Sequence, residues 1–440
     1  MTKSRIKPRE RDAVIQALNA GVVPRIGIQH IAVGRSKETD ALLTDIEKIA
    51  DDGSAIRFII GEYGAGKTFF LNLIKQISLE KKLVVVSADL APDRRLHATG
   101  GQARNLYSEL MRNLSTRTKP DGGALQSIVE RFISDVARKA RAENIAVEEL
   151  ISRELSALED LVGGFDFAIV LSAYWRGFDD GDDNLKAAAL RWLRGEYSTK
   201  TEARKNLGVR TIIDDASFYD HLKLMAKFVE IAGYAGFMVS IDEMVNLYKL
   251  NSAQARNANY EQLLRIINDV LQGTSSGIGF VFGGTPDFLM DTRRGVYSYE
   301  ALQSRLAENQ FARNGLIDLT GPVIRLQSLT PEELYVLLNN IRRVFALGDD
   351  DKHLIPDRAL NAFMAHCNDK IGEAYFRTPR NTAKAFVNLL SVLEQNPGTA
   401  WTDLLSNAEI EIDIPLDDKS DELHGTISAE GDDELTSFRL

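Results

Sequence analysis

Five short, mostly apolar runs punctuate an otherwise helical hydrophobic pattern. They are Arg57-Phe58-Ile59-Ile60, Leu83-Val84-Val85-Val86-Ser87-Ala88, Phe237-Met238-Val239-Ser240-Ile241, residues 277–282 and Val323-Ile324-Arg325-Leu326. Runs of this length without regular polar alternation predict strands of a parallel sheet covered on both faces. Helical spacing fills the intervals. Val14, Ile15 and Leu18 predict a helix over residues 13–21, and Leu42, Leu43, Ile46 and Ile49 another over residues 37–49. Phe69, Phe70, Leu71, Leu73, Ile74 and Ile77 follow the first strand at the same period. The long interval 91–235 is mostly helical, with Leu106, Leu110 and Leu114 on one helix and Ile128, Phe132, Ile133 and Val136 on another. Gly163-Gly164 breaks it, and Asp179-Asp180-Gly181-Asp182-Asp183 reads as an exposed turn. Thr330-Pro331-Glu332-Glu333 carries a helix start signal, with a capping threonine, proline first and glutamate third.

These elements divide the chain. Residues 1–36 form a basic leader (1–11), a short helix and a loop at 24–35. Residues 37–328 form an α/β core with a helical insertion at about 91–235. Residues 329–405 are a C-terminal helical unit, and 406–440 an acidic tail expected to be disordered. Charge supports the last division. The net charge is −10, but from Glu409 onward eleven acidic residues face only Lys419 and Arg439, which leaves the rest of the chain at −1. The body is nearly neutral, so an acidic total does not argue against local contact with nucleic acid. No apolar run approaches a membrane span, and the basic start lacks the apolar core of a signal peptide. One cysteine, Cys367, excludes an internal disulfide and suits the cytoplasm.

The segment Gly61-Glu62-Tyr63-Gly64-Ala65-Gly66-Lys67-Thr68 is a complete GxxxxGK[ST] loop between a strand and an amphipathic helix. Its glycines let backbone N–H groups close on phosphates, Lys67 reaches the β- and γ-phosphates, and the Thr68 hydroxyl ligates Mg²⁺. Together with Phe69, the first residue of the helix body, these are the expected nucleotide contacts. The third strand ends Ile241-Asp242-Glu243. Asp242 suits metal coordination, and Glu243 is placed to activate water as a general base. The fourth strand runs into Gly283-Gly284-Thr285-Pro286, where Thr285 could hydrogen-bond the γ-phosphate or the attacking water. Arg293, Arg294 and Arg305 lie between the fourth and fifth strands, and guanidinium forks suit phosphate. Thr378-Pro379-Arg380-Asn381 starts a late helix from which Arg380 could fold onto the phosphates. Residues 191–210 hold six basic and two acidic residues with Trp192 and Tyr197 interleaved, a mixture that could grip a nucleic-acid backbone, although a solvated helix face with its aromatics pointing into the core is the favoured reading.

The order of these motifs resembles an AAA+ ATPase, a three-layer P-loop NTPase, and within it the origin-recognition and initiator branch. Closer still, several segments resemble the BrxD-like ATP-binding proteins of BREX phage-defence systems. They are Gly21-Val22-Val23-Pro24, His30-Ile31, Val33-Gly34-Arg35, Trp192-Leu193-Arg194-Gly195-Glu196 and Tyr297-Ser298-Tyr299-Glu300-Ala301-Leu302. That resemblance implies that Val33, Gly34 and Arg35 line the adenine side, Thr285 is the first sensor, Arg305 an arginine finger acting in trans and Arg380 the second sensor. It further implies a C-terminal lid, ATP with Mg²⁺, and a homo-oligomer that hydrolyses ATP in an antiviral assembly. The expected target is DNA or a DNA-processing partner such as a helicase or methyltransferase. The rival expectations are a replication-initiator or loader ATPase and a nucleotide-gated scaffold with little turnover. Two features depart from the pattern: the first sensor is often asparagine, and too few residues follow Leu405 for a winged helix.

Overall fold

The computed structural model describes residues 5–309, 311–312, 318–371 and 379–406. Its centre is an all-parallel sheet of five strands in the order β2-β3-β4-β1-β5. The strands are β1 (Ser54–Gly61), β2 (Val84–Asp89), β3 (Phe237–Asp242), β4 (Ile278–Gly284) and β5 (Val323–Leu326). Every residue of β1 is buried, as expected of the middle of a sheet covered on both sides. Its side chains alternate. Ala55 and Ile59 join one apolar layer with Leu42, Ile46, Phe70 and Ile74, whereas Ile56, Phe58 and Ile60 join the opposite layer with Phe280 and Phe282. Helices α1 (Pro8–Asn19) and α2 (Ser36–Ala50) precede β1, and α3 (Lys67–Glu80) connects β1 to β2. The result is a three-layer α/β fold of the P-loop NTPase type.

Polar residues pin the layers. Arg57, on β1, points toward α2 and donates through Nε to Asp45 Oδ2 at 2.5 Å and through Nη2 to Asp45 Oδ1 at 3.0 Å. Its Nη1 also donates to the carbonyls of Leu319 (2.8 Å) and Gly321. A guanidinium buried there is tolerable because every donor face has an acceptor.

Between β2 and β3 run α4 (Gln102–Arg112), α5 (Leu125–Glu143), α6 (Val147–Glu154), α7 (Gly164–Asp179), α8 (Asp183–Leu193), α9 (Lys200–Leu207) and α10 (Phe218–Ile231). Their apolar faces merge with the layer over Phe58 and Phe282 into one continuous core. Helices α11 (Val245–Tyr248), α12 (Ala253–Leu271), α13 (Pro286–Met290) and α14 (Glu300–Leu306) complete the sheet's surroundings. The C-terminal helices are α15 (Pro331–Phe345), α16 (Asp357–Ile371), α17 (Pro379–Gln395) and α18 (Trp401–Ser406). They build a second core around Leu338, Phe345, Leu360, Phe363, Cys367 and Phe386.

Three sequence expectations need correction. Helix α1 starts at Pro8, five residues before the expected residue 13, because proline occupies its first turn and Glu10 accepts from the Lys7 amide at 3.1 Å. That helix is no free leader: Ile6 and Val14 are buried in the C-terminal core, and Arg11 donates to the Phe345 carbonyl at 3.1 Å. Strand β2 runs one residue further than expected, to Asp89. The acidic tail from 407 onward and Thr378 lie outside the described residues.

Candidate functional site

The C-terminal ends of β1, β3 and β4 open into a cleft of about 430 Å³ between the sheet and the C-terminal helices. Such a position, outside the carboxyl ends of parallel strands, is where α/β folds place ligands. Val33, Gly34, Arg35, Tyr63, Gly64, Ala65, Gly66, Lys67, Thr68, Phe69, Asp242, Glu243, Thr285 and Arg380 all line it. Gly61 and Glu62 sit behind the loop, where their carbonyls accept from Lys67 Nζ at 2.8 and 3.0 Å. Arg305 is elsewhere. On α14 it donates through Nε to Asn268 Oδ1 at 2.7 Å and through Nη1 to the Ala301 carbonyl at 2.8 Å.

At one end of the cleft the groups are strongly polar. Thr68 Oγ1 donates to Asp242 Oδ2 at 3.0 Å, and Asp242 Oδ1 accepts from the Glu243 amide at 2.8 Å. Asp242 is only 8% exposed. The neighbouring β4 approaches it so closely that a Cβ on Gly283 would collide with Oδ1, which explains glycine there. Glu243 holds a left-handed backbone (φ 56°), a conformation that costs a non-glycine residue on the order of 1–3 kcal/mol and gathers at functional sites. Burial, then the charges of Asp242 and Asp89, push its carboxyl above the usual range. Burial likewise lowers the Lys67 ammonium, against the opposing pull of Asp242 and Glu243.

Asp89 is the acid that the pattern reading missed. It is the register partner of Asp242 on the adjacent strand, and burial followed by Asp242 pushes its carboxyl up. The signal was present: Ser87-Ala88-Asp89 is an apolar run ending in aspartate, the form already recognised at Ile241-Asp242.

The other end of the cleft is apolar, walled by Val22, Val23, Pro24, Ile31, Val33 and Leu337. Arg380, at the start of α17, lies against Gly21, where a Cβ would stand 3.1 Å from its Nε. Thr285 lines the cleft, and its hydroxyl also caps α13 by accepting from the Phe288 amide at 3.4 Å. A threonine hydroxyl can cap a helix and still turn its proton elsewhere.

Of the two readings of 191–210, the structure bears out the solvated face whose aromatics point into the core. Trp192 and Tyr197 are each 1% exposed. The indole N–H donates to the Thr211 carbonyl at 2.9 Å, and the Arg191 guanidinium covers the Tyr197 ring at 4.3 Å while pairing with Glu202. The rings face inward because α7, α8 and α9 need them as core.

A parallel sheet, a glycine-rich loop opening a helix after β1, and two acids at the end of β3, with β4 between the two strands, define a P-loop nucleotide-binding protein. More narrowly, the chain belongs to the family of BREX system ATP-binding proteins BrxC/D, whose family model matches residues 6–409. No curated protein matches the chain. Among the described residues no helix is long and apolar enough to cross a membrane.

Proposed function

We propose that the protein hydrolyses ATP and converts the cycle into movement of its C-terminal helices within an antiviral BREX assembly. The observation that carries this reading is the juxtaposition of Thr68, Asp242 and Glu243 at the polar end of the cleft. Binding alone needs the loop and Lys67. A half-buried glutamate on strained backbone beside the phosphate end supports a proton-accepting role, which favours turnover over a static scaffold. On this reading Glu243 orients and deprotonates the attacking water, and Lys67 leaves its loop carbonyls for the β- and γ-phosphates.

The residues fit Mg²⁺. Thr68 Oγ1 and Asp242 Oδ2 are hard oxygen donors 3.0 Å apart, and no group of three or more metal-ligating side chains occurs among the described residues. An ion that keeps several waters and takes phosphate oxygens needs no more protein ligands than that. When bound, it neutralises charge on the β- and γ-phosphoryl oxygens.

The remaining assignments belong to the same proposal. Val33, Gly34 and Arg35 flank the adenine, Thr285 contacts the γ-phosphate or the attacking water, and Arg380 reports phosphate occupancy from a lid formed by residues 329–405. Residues 37–328 act as the ATPase core, with the insertion at about 91–235. Arg305 serves a neighbouring copy in a homo-oligomer, and the driven target is DNA or a DNA-processing protein such as a helicase or methyltransferase.

The test separates binding from chemistry. Lys67→Ala removes the cation that meets the phosphates, and ATP affinity by calorimetry should fall by at least ~10-fold. Glu243→Gln should bind ATP as wild type does while phosphate release drops at least ~10²-fold. Turnover at the wild-type rate in Glu243→Gln would remove Glu243 as the base.

A further inference from the structure

Arg35 lines the nucleotide cleft, and its guanidinium is engaged by other parts of the protein. Nη2 donates to the carbonyl of Gln327 and, at 3.4 Å, to the carbonyl of Ala65, and Nη1 lies 3.7 Å from Glu38. Ala65 belongs to the phosphate loop. Gln327 follows β5 directly and stands three residues before Thr330, the cap of α15. One side chain therefore joins the loop that would grip phosphate to the connection that leads into the C-terminal helices.

The backbone around it is shaped for that position. Gly34 and Arg35 are both left-handed, at φ 62° and 63°. For arginine this is an unfavourable conformation, and a structure retains it only where its surroundings over-determine it. Glu333 is the second constraint. Its Oε2 accepts from the Thr330 amide at 3.0 Å in the capping box of α15, and a Cβ on Gly34 would sit 2.5 Å from its Oε1. The turn at Gly34 and the first turn of α15 are thus packed against each other.

We propose that Arg35 is a positioning residue that clasps the phosphate loop to the start of α15, so that closure of the loop on phosphate is transmitted to the C-terminal helices. This rests on the proposed nucleotide site, and it assigns Arg35 a partner in the protein itself beyond its place beside the adenine. Phosphate binding turns the loop's N–H groups toward the ligand. The same peptide planes carry its carbonyls, so Ala65 reorients, and a guanidinium fixed to Gln327 registers the change.

The experiment uses the full chain with Arg35→Gly and Arg35→Lys. Glycine accepts the left-handed turn, so it deletes the clasp without burdening the fold. Lysine keeps the charge but lacks the fork needed to hold two carbonyls. Amide hydrogen exchange is read over Pro331–Phe345, with and without ATP, in the Glu243→Gln background to hold nucleotide in place. In Arg35→Gly, Leu334 to Leu338 should exchange at least ~10-fold faster without nucleotide, the scale of one charge-assisted hydrogen bond. With ATP at a concentration that saturates each variant by calorimetry, the ATP-dependent change over α15 should be lost in Arg35→Gly, with Arg35→Lys intermediate. Unchanged exchange in the nucleotide-free arm, or a full ATP-dependent change in Arg35→Gly, would overturn the clasp. If Arg35→Gly could not be saturated with ATP, the nucleotide-free arm alone would decide the clasp. If the parent itself bound no ATP, the nucleotide reading would fail, while the nucleotide-free arm would still decide the clasp.

Discussion

The phosphate end of the cleft and the segment 191–210 are both rich in charge and both contain aromatic rings, yet they satisfy those charges in opposite ways. In the insertion the groups nearest the core meet their complements: Arg191 pairs with Glu202 and covers Tyr197, and the Trp192 N–H meets a carbonyl. At the cleft like charges gather. Glu243 sits beside Asp242, with Asp89 on the neighbouring strand outside the cleft lining, so that Glu243 and Asp89 are both pushed upward, and the hydrogen bonds of Lys67 go to carbonyls of its own loop. Folding alone does not favour such an arrangement. Carboxylates collected at the end of parallel strands become comprehensible when a cation and a polyphosphate complete the electrostatics. The comparison teaches that charge density does not mark a site, whereas charge left uncompensated by the fold does.

Arg305 tests that lesson most severely. Its partners are the Asn268 side-chain oxygen and the Ala301 carbonyl, neither of which neutralises a guanidinium. If it completes a neighbour's site, Arg305→Ala should lower hydrolysis by ~10³-fold, the scale of arginine fingers in phosphoryl transfer. Mixing it with Lys67→Ala protomers should restore part of the activity, since some interfaces then join an intact loop to an intact finger. Absence of recovery at concentrations where the two variants co-assemble would confine Arg305 to its own subunit.

Trp192 sharpens the opposite pole. A ring 1% exposed, edge-on to Phe167 and His221 at 6.3 and 5.8 Å, is a core element. Trp192→Ala should destabilise the protein by about 3–5 kcal/mol in urea unfolding followed by circular dichroism, and Trp192→Phe by much less. A loss below about 1 kcal/mol would contradict its burial, because surface substitutions fall in that range.

What could be read from the chain follows the range of the interactions. The phosphate loop and Asp242-Glu243 are contiguous signatures, and the five apolar runs announced the parallel sheet because double burial erases polar alternation. Capping at Thr330 was legible because Glu333 is three residues away. Where the partner is distant, the pattern left the outcome open. The direction of Trp192 depends on α7 packing over α8, and the clasp at Arg35 depends on Gln327, which is 292 residues on. The early start of α1 was hidden for another reason: Pro8 and Glu10 lie in a polar, basic string without apolar periodicity. Asp89 was lost because the strand was ended at its last apolar residue, although a parallel ladder pairs backbone regardless of side-chain polarity.

The smallest expected effect concerns the cations that remain exposed once the aromatics are withdrawn. On α9, Ala203 and Leu207 face inward, which leaves Arg204 and Lys205 exposed. Charge reversal at both should leave stability within about 0.5 kcal/mol, the usual range for surface changes. If this face meets nucleic acid, Trp192 and Tyr197 do not stack on its bases, and Arg204 and Lys205 meet its phosphates. The double reversal should then weaken DNA binding equally for all sequences and flatten the plot of log affinity against log salt by roughly 2, since each phosphate contact contributes a slope near 0.9. Single- and double-stranded probes should lose affinity alike, because Arg204 and Lys205 would meet only phosphates. Equal slopes for wild type and variant would assign Arg204 and Lys205 to solvent, and DNA contact, if the assembly makes it, would have to come from another face or from a partner protein.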